Sequence, residues 1–247
     1  MTKQSGLGDR LFIGGVDVSG DIGSLGRIGG GMVGTFNVTG IDKSAYERVG
    51  GKRDGAIEFS SWYNTSGVTT IGAHAVVKAL PTADILVSYF RGTTIGNASA
   101  SCNAKQVDYN EKRAEDGALS FDVSAQADGF GLEWGNMLTA GIRSDVAATN
   151  GTGFDWGAAT TFGFQAYLHV FSFTGTSVTI TLQDSPDNVT YTSITGGAFA
   201  VVNAVGSQRI AATPASIARW TRAITTGTFS QCSFAISFVR NESAVTF

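Results

Sequence analysis

Apolar and polar residues alternate with a period of two along much of the chain. In 34–39, Phe36 and Val38 are separated by Thr35, Asn37 and Thr39, and in 56–60 Ile57 and Phe59 flank Glu58. The same alternation returns in 84–90, 99–109 and 118–125. Successive side chains of a strand point to opposite faces, so each run predicts a strand with one buried face. Helical spacing occurs once, over 71–80, where Ile71, Ala75 and Leu80 fall near one face, Val76 and Val77 lie beside them, and Pro81 ends the run. Further strands are predicted at 162–170, 177–183 and 232–239, rich in Thr and Val, with turn residues at 184–188 between two of them. The pattern predicts an all-β protein, β-rich with one short helix.

Charge divides this pattern in two. Of the 37 Asp, Glu, Lys and Arg residues, 29 lie in 1–150 and 8 in 151–247. The small, polar segment 147–153 lies between, and reads as a linker because it can bury little. The expected organisation is a first β domain over 1–147 with its helix near 71–80, a linker over 148–155, and a C-terminal β-sandwich over 156–247. Thirty-three glycines with 3 prolines and no G-X-Y period exclude collagen, and 43% apolar residues exclude a wholly disordered chain. A net charge of −3 excludes a strongly basic phosphate-gripping surface. No run of about 20 apolar residues is present, so no membrane span is expected, and the polar start of the chain reads as that of a protein made in the cytoplasm. Cys102 and Cys232, in different predicted domains, are expected to be free thiols.

Little in the sequence points to catalysis. His74 and His169 are the two imidazoles, one in the predicted helix and one between Leu168 and Val170, and both read as packing or surface residues. No catalytic residue, metal ligand or cofactor is assigned, and the chain is not expected to be an enzyme. A carbohydrate-active enzyme would need two carboxylates about 5–10 Å apart in a cleft, which Glu58 and Glu133 would supply only by coincidence. Residues 29–34 satisfy G-x-G-x-x-G, but a strand pattern follows where a nucleotide site requires a helix. Asp184, Asp187 and Asn188 read as a hairpin turn before they read as calcium ligands. Trp156, Tyr191 and Trp220 are candidates for weak glycan contact on the second sandwich. The most informative stretch is 42–55. It joins two strands through about fifteen residues of mixed charge, far beyond ordinary hairpin loops, and suits pairing with a copy of the chain. A similar cluster lies at 108–117.

Several of these stretches together resemble the major tail (tail tube) proteins of long, non-contractile-tailed bacteriophages. They are the Gly-rich strand leading into Phe36-Asn37-Val38-Thr39-Gly40, the charged loop ending Arg53-Asp54-Gly55, and the single helix before Pro81. Val87-Ser88-Tyr89-Phe90-Arg91-Gly92, Asp116-Gly117-Ala118-Leu119-Ser120-Phe121 and Gly131-Leu132-Glu133-Trp134-Gly135 complete the set. The resemblance covers roughly 8–145. The second domain is similar to the Ig-like or carbohydrate-binding-like β-sandwiches that such proteins carry outside the tube.

The resemblance implies a tail-tube-type β-sandwich or barrel domain with an outer sandwich appended, found in the phage virion. It implies homo-hexameric rings closing through sheet edges and stacking into a tube for genome ejection. The implied partners are other tail proteins (tape measure, terminator and distal tail proteins), with double-stranded DNA passing without specific binding. By the same analogy Lys43, Tyr46, Glu47, Arg48, Lys52 and Arg53 would contact the adjacent ring, and reversing Arg48 and Arg53 is expected to impair tube growth but not folding. A chain ending near Asp145 is expected still to assemble. The alternative is a capsid-decoration or receptor- and glycan-binding protein.

Overall fold

A computed structural model describes residues 5–65, 71–78 and 84–245. The fold is all-β, as the alternation predicts. The first half contains β1 (Arg10–Ile13), β2 (Val16–Asp17), β3 (Ile22–Met32), β4 (Thr35–Asn37), β5 (Arg48–Gly50), β6 (Arg53–Trp62), α1 (Ala73–Val77), β7 (Ile85–Phe90), β8 (Ala98–Arg113), β9 (Leu119–Ala127), β10 (Glu133–Met137) and β11 (Arg143–Asp145). The second contains β12 (Thr149–Asn150), β13 (Phe154–Asp155), β14 (Phe164–Ser185), β15 (Thr192–Ala198), β16 (Gly206–Ala212) and β17 (Trp220–Arg240).

β8 organises the first half. It pairs with β7 over 99–104 on one side and with β10 over 98–101 on the other, so that Ser101 lies opposite both Ser88 and Glu133. Past Ala104 it pairs with β9 instead, Tyr109 opposite Val123 and Arg113 opposite Leu119. The antiparallel sheet β3–β6–β9–β8 therefore grows from the far end of β8 and packs its inner face on β1 and β7. Leu11, Val87, Ile57, Phe59, Phe121 and Val123 meet between the layers and are buried. Their spacing of two is the strand period read from the sequence.

α1 is shorter than the predicted 71–80. Ile71 and Gly72 are not helical, Gly72 being extended, and the helix starts at Ala73, whose amide donates to the Asp21 carboxylate at 2.9 Å. Leu80 and Pro81 lie outside the described residues.

In the second half the predicted strands 162–170 and 177–183 are one strand, β14, paired with β17 from Phe164–Arg240 to Ser185–Trp220. The ribbon changes register near Gly175, so both strands bend and contribute to both layers of one core containing Leu168, Val170, Ile180 and Phe234. Glycine is required at the bend. Gly175 has φ 151°, and a β-carbon there would lie 2.4 Å from the Phe229 Cα.

The two halves share hydrogen bonds and core. β10 pairs with β17, Met137 opposite Ser237, and Phe12, Phe90, Met137 and Ala235 form one buried cluster with Phe171 against it. Leu86, Tyr167 and Val239 form another. The stretch 148–155, expected as a linker, is pinned along β17: Thr149 and Asn150 pair with Thr225 and Ile224, and Phe154 and Asp155 with Thr221 and Trp220. Small polar residues bury little side chain, but their backbone groups still need partners, and the β17 edge supplies them. Arg143 strengthens this seam, binding Asp145 through two bonds of 2.8 and 2.7 Å and the carbonyls of Ala223 and Thr149. Cys102 and Cys232 are both free and buried.

His169 crosses between the halves. The Gly15 amide donates to its Nδ1 at 3.2 Å, so Nδ1 is the acceptor, and Nε2 carries the proton and donates to Ser88 Oγ at 2.9 Å. Ser88 Oγ in turn lies 2.8 Å from Ser101 Oγ. Complete burial among Phe12 and Phe171 pulls the imidazole pKa down from 6.5 to about 3.

Two predictions follow from this shared core. A chain truncated after Asp145 loses β14 and β17 and uncovers Phe12, Phe90 and Met137, each a burial contribution of about 1.5–3 kcal/mol. It should therefore unfold well below the intact chain in a thermal melt, contrary to the expectation that the first half stands alone. Between pH 6.5 and about 3 the unfolded chain takes up a proton at His169 that the folded chain refuses, so stability falls as pH falls, by roughly 1 kcal/mol per unit from this group. Urea midpoints at pH 7.5 and 5 should show that drop, and His169→Gln should lessen the slope while lowering stability at pH 7.5.

Candidate functional site

The hairpin between β3 and β6 leaves the body. Met32 and Arg53 are its last paired residues in the main sheet, after which Val33 N donates to Lys52 O at 2.9 Å and Gly51 N to Gly34 O at 2.7 Å. β4 and β5 continue the ladder, Phe36 opposite Val49 and Asn37 opposite Arg48, and Val38 N reaches Glu47 O at 3.0 Å. Near the turn, the Glu47 amide donates to Thr39 Oγ1 at 2.8 Å and Lys43 N to Gly40 O at 3.2 Å. The paired ribbon from Met32 to Val38 carries the hairpin about 20 Å beyond the sheet.

This arm is solvent-exposed and apolar. Phe36 is 66% exposed, Tyr46 72% and Ile41 fully, with Val33, Val38 and Val49 each more than half exposed. Phe36 and Val49 lie directly opposite in the ladder and share a face, and Val38, two residues on, joins them. A two-stranded ribbon is marginal in water by itself, and contiguous exposed apolar side chains mark an interaction surface.

Of the residues singled out for contact with a neighbouring copy, Lys43, Tyr46, Glu47 and Arg48 come together on this arm. Lys43 and Glu47 form an exposed ion pair at 3.7 Å, and the Arg48 guanidinium lies over the Tyr46 ring at 5.3 Å. Lys52 sits at the base of the arm. Arg53 starts β6 in the body, where it is ion-paired with the nearly buried Glu133.

Trp156, Tyr191 and Trp220 do not form one platform. Asp155 lies opposite Trp220 in the ladder, so Trp156 and Trp220 take opposite faces. Trp156 packs on Phe154 and Phe238 and donates to Thr221 Oγ1 at 2.8 Å. Each ring has an arginine over one face: Arg240 over Trp156 at 5.4 Å, Arg222 over Tyr191 at 3.9 Å and Arg219 over Trp220 at 5.6 Å. In the turn at 184–188 the Asp187 carboxylate accepts from the amides of Val189 and Thr190, both at 2.9 Å, and Asp184 from the Ala218 amide at 2.7 Å. Those bonds hold Asp187 below the usual carboxylate range. Residues 29–34 run along the end of β3 into the arm. No group of three or more His, Cys, Asp or Glu side chains suited to a metal ion occurs among the described residues.

Two features are not legible in the sequence. In β3–β6–β9–β8, β3 pairs only with β6, and β8 beyond Ala104 only with β9, so among the described residues this sheet has two open edges. Its outer face forms a groove of about 550 Å³ lined by Glu58, Asp108 and Asp122 with Ser24, Ser60 and Ser124. Lys112 and Ser60, both bonded to Asp122, lower its pKa. Alternating Glu58, Ser60 and Asp122, Ser124 were visible as the polar faces of two strands; that those faces adjoin required the register.

No protein-family model matches the chain, and no curated protein matches it. Among solved structures the chain is similar to the SPP1 Dit (gp 19.1) protein, described as a paradigm of the hub adsorption apparatus in phages infecting Gram-positive bacteria. The identity is 11% over 94% of this chain and 99% of that one, with a TM-score of 0.31. It is similar as well to a chain of the phage P2 baseplate in its activated conformation with Ca, at 12% identity over 96% of this chain and 99% of that one, with a TM-score of 0.31. Likeness at this level gives no residue a role.

The two arginines should now behave differently. Arg53→Glu sets a second carboxylate against Glu133 and should cost roughly 2 kcal/mol of stability, whereas Arg48→Glu on the exposed arm should change it by less than about 0.5 kcal/mol. Denaturant unfolding of the two single variants checks this.

Proposed function

We propose that the chain is a structural protein of a bacteriophage tail that joins copies of itself edge to edge into rings, and that these rings form a conduit for DNA. The observation that carries this reading is the pair of open edges on β3–β6–β9–β8. All three pairings in the sheet are antiparallel, so β3 and β8 run in opposite senses. Laying β8 of one copy beside β3 of the next continues the antiparallel order, and a closed ring leaves no edge unsatisfied.

Charge supports the same reading. The inner face of this sheet is covered by the rest of its own domain, so on closure the uncovered face turns to the lumen. That face carries Glu58, Asp108 and Asp122, and its cations are ion-paired, Lys112 with Asp122 and Lys105 with Asp84 and Asp128, so carboxylates outnumber cations on it and disfavour lasting contact with DNA phosphates. Six-fold symmetry, axial contact through Lys43, Tyr46, Glu47, Arg48 and Lys52, the partnership with other tail proteins and the virion location belong to this proposal.

Negative-stain microscopy and native mass spectrometry of the purified protein test it. Rings or tubes are expected for the native chain, and Arg27→Pro, at the register shift of β3 where no β6 residue lies opposite, should leave folded monomers. A native chain that stays monomeric at high concentration, or forms trimers that bind glycans, overturns the reading.

A further inference from the structure

The sheet β3–β6–β9–β8 has two unlike ends. The arm leaves from the end where Met32 pairs with Arg53. At the opposite end, where Ile22 pairs with Ser61 and Trp62 with Ser120, two large apolar side chains stand in solvent: Trp62 is 54% exposed and Ile71 53%. The Trp62 indole lies across Gly23, where even a β-carbon would come within 3.2 Å of its Nε1.

This end is firmly built. The Asp21 carboxylate, just before β3, accepts from Asn64 Nδ2 at 2.8 Å and from the Ala73 amide at 2.9 Å, fixing the chain on both sides of 66–70 against the start of β3. Beneath it Tyr63, His74, Tyr109 and Phe121 contact in series, with centroids 4.6, 5.8 and 5.0 Å apart. Charge differs between the ends as well: around the β8–β9 turn Glu111, Glu115 and Asp116 outnumber Lys112 and Arg113, while on the arm Lys43, Arg48 and Lys52 outnumber Asp42 and Glu47, all of them exposed.

We propose that Trp62 and Ile71 form the surface on which the arm of a second copy docks. The inference rests on the ring reading and adds the surface that receives the arm. Copies stacked in one direction bring the arm end of each onto the opposite end of the next, so the two exposed apolar groups of one chain face each other across every junction. Phe36, Val38 and Val49 meet Trp62 and Ile71, and the arm cations approach Glu111 and Glu115. Neither half of the contact can close within a single chain, because the two lie at opposite ends of the same strands.

A cysteine pair tests this directly, since the native Cys102 and Cys232 are buried and give little background. Phe36→Cys combined with Trp62→Cys should, on mild oxidation of assembled protein, give a ladder of covalent multimers on a non-reducing gel, while either single variant stays monomeric there. Trp62→Ser should fold, keep its melting temperature within a few degrees, and yield separate rings in place of tubes. Tubes of native length from Trp62→Ser, or assembled double variant without a ladder, overturn the docking surface and leave the ring reading standing. A dimer from either single variant overturns the one-way stacking on which the surface depends. Absence of rings from the native chain overturns the ring reading itself.

Discussion

Backbone hydrogen bonding along β8 governs the architecture. A strand satisfies both sides only while a neighbour runs beside it on each; β8 lies between β7 and β10 over 99–101, and past Ala104 it has β9 alone. Side chains mark the change. Ser99, Ala100, Ser101 and Cys102 are small and fully buried, which lets layers close on both faces of the strand, whereas Lys105, Asp108, Glu111 and Lys112 carry the strand into solvent. One strand thereby serves first as the middle of a buried sheet and then as the border of an exposed one. The shared core of the two halves and the open sheet proposed to assemble both depend on that change.

The buried part of this arrangement is unusually polar. Ser88, Ser101 and His169 form one hydrogen-bonded chain, and Ser99 Oγ lies 2.7 Å from Ser237 Oγ a short distance along the same seam. Two apolar layers would tolerate sliding; these pairs do not, because a shift of one residue strands several buried hydroxyls and an imidazole without partners. The seam fixes how β7 and β8 sit against β14 and β17. It also makes the neutral state of His169 a condition of that fit, since a proton on Nδ1 would face the Gly15 amide that now donates to it.

Local pattern revealed the strands well and their pairing poorly. The alternation in 56–60 and 118–125 marks strands because one face of each is buried, and β6 and β9 bear that pattern. The helix lies within the predicted 71–80 but is shorter, because Ile71 suits a helical face by spacing and in the fold lies outside α1 with its side chain exposed. The break predicted between 170 and 177 is a bend within β14: glycine and threonines there read as a loop locally, although β17 pairs across them. The arm was legible as a long charged connection, but its apolar side was not, since Phe36 and Val38 read as a strand facing a core. Only the fold shows that no core lies beneath them. Arg53 belongs with the arm by proximity in sequence alone, and its tie to Glu133, eighty residues away, belongs to tertiary structure.

A protein with open edges and an apolar arm must avoid pairing with the wrong chain, and the composition of the edges bears on this. β3 carries Gly23, Gly26, Gly29, Gly30 and Gly31 and shifts register twice, features that weaken pairing with an arbitrary flat strand. The exposed length of β8 shifts register near Val107 and alternates charges of both signs. Each edge alone is thus a poor template, and association gains enough only where a partner matches the full length of one edge and its charges. In the proposed ring, closure would supply the missing affinity without improving any single contact, because the last joint would form within an assembly already held together and its effective concentration would be high. Weak, irregular edges and an exposed arm therefore fit the proposed closed assembly, whereas a smoother, more hydrophobic edge would invite aggregation.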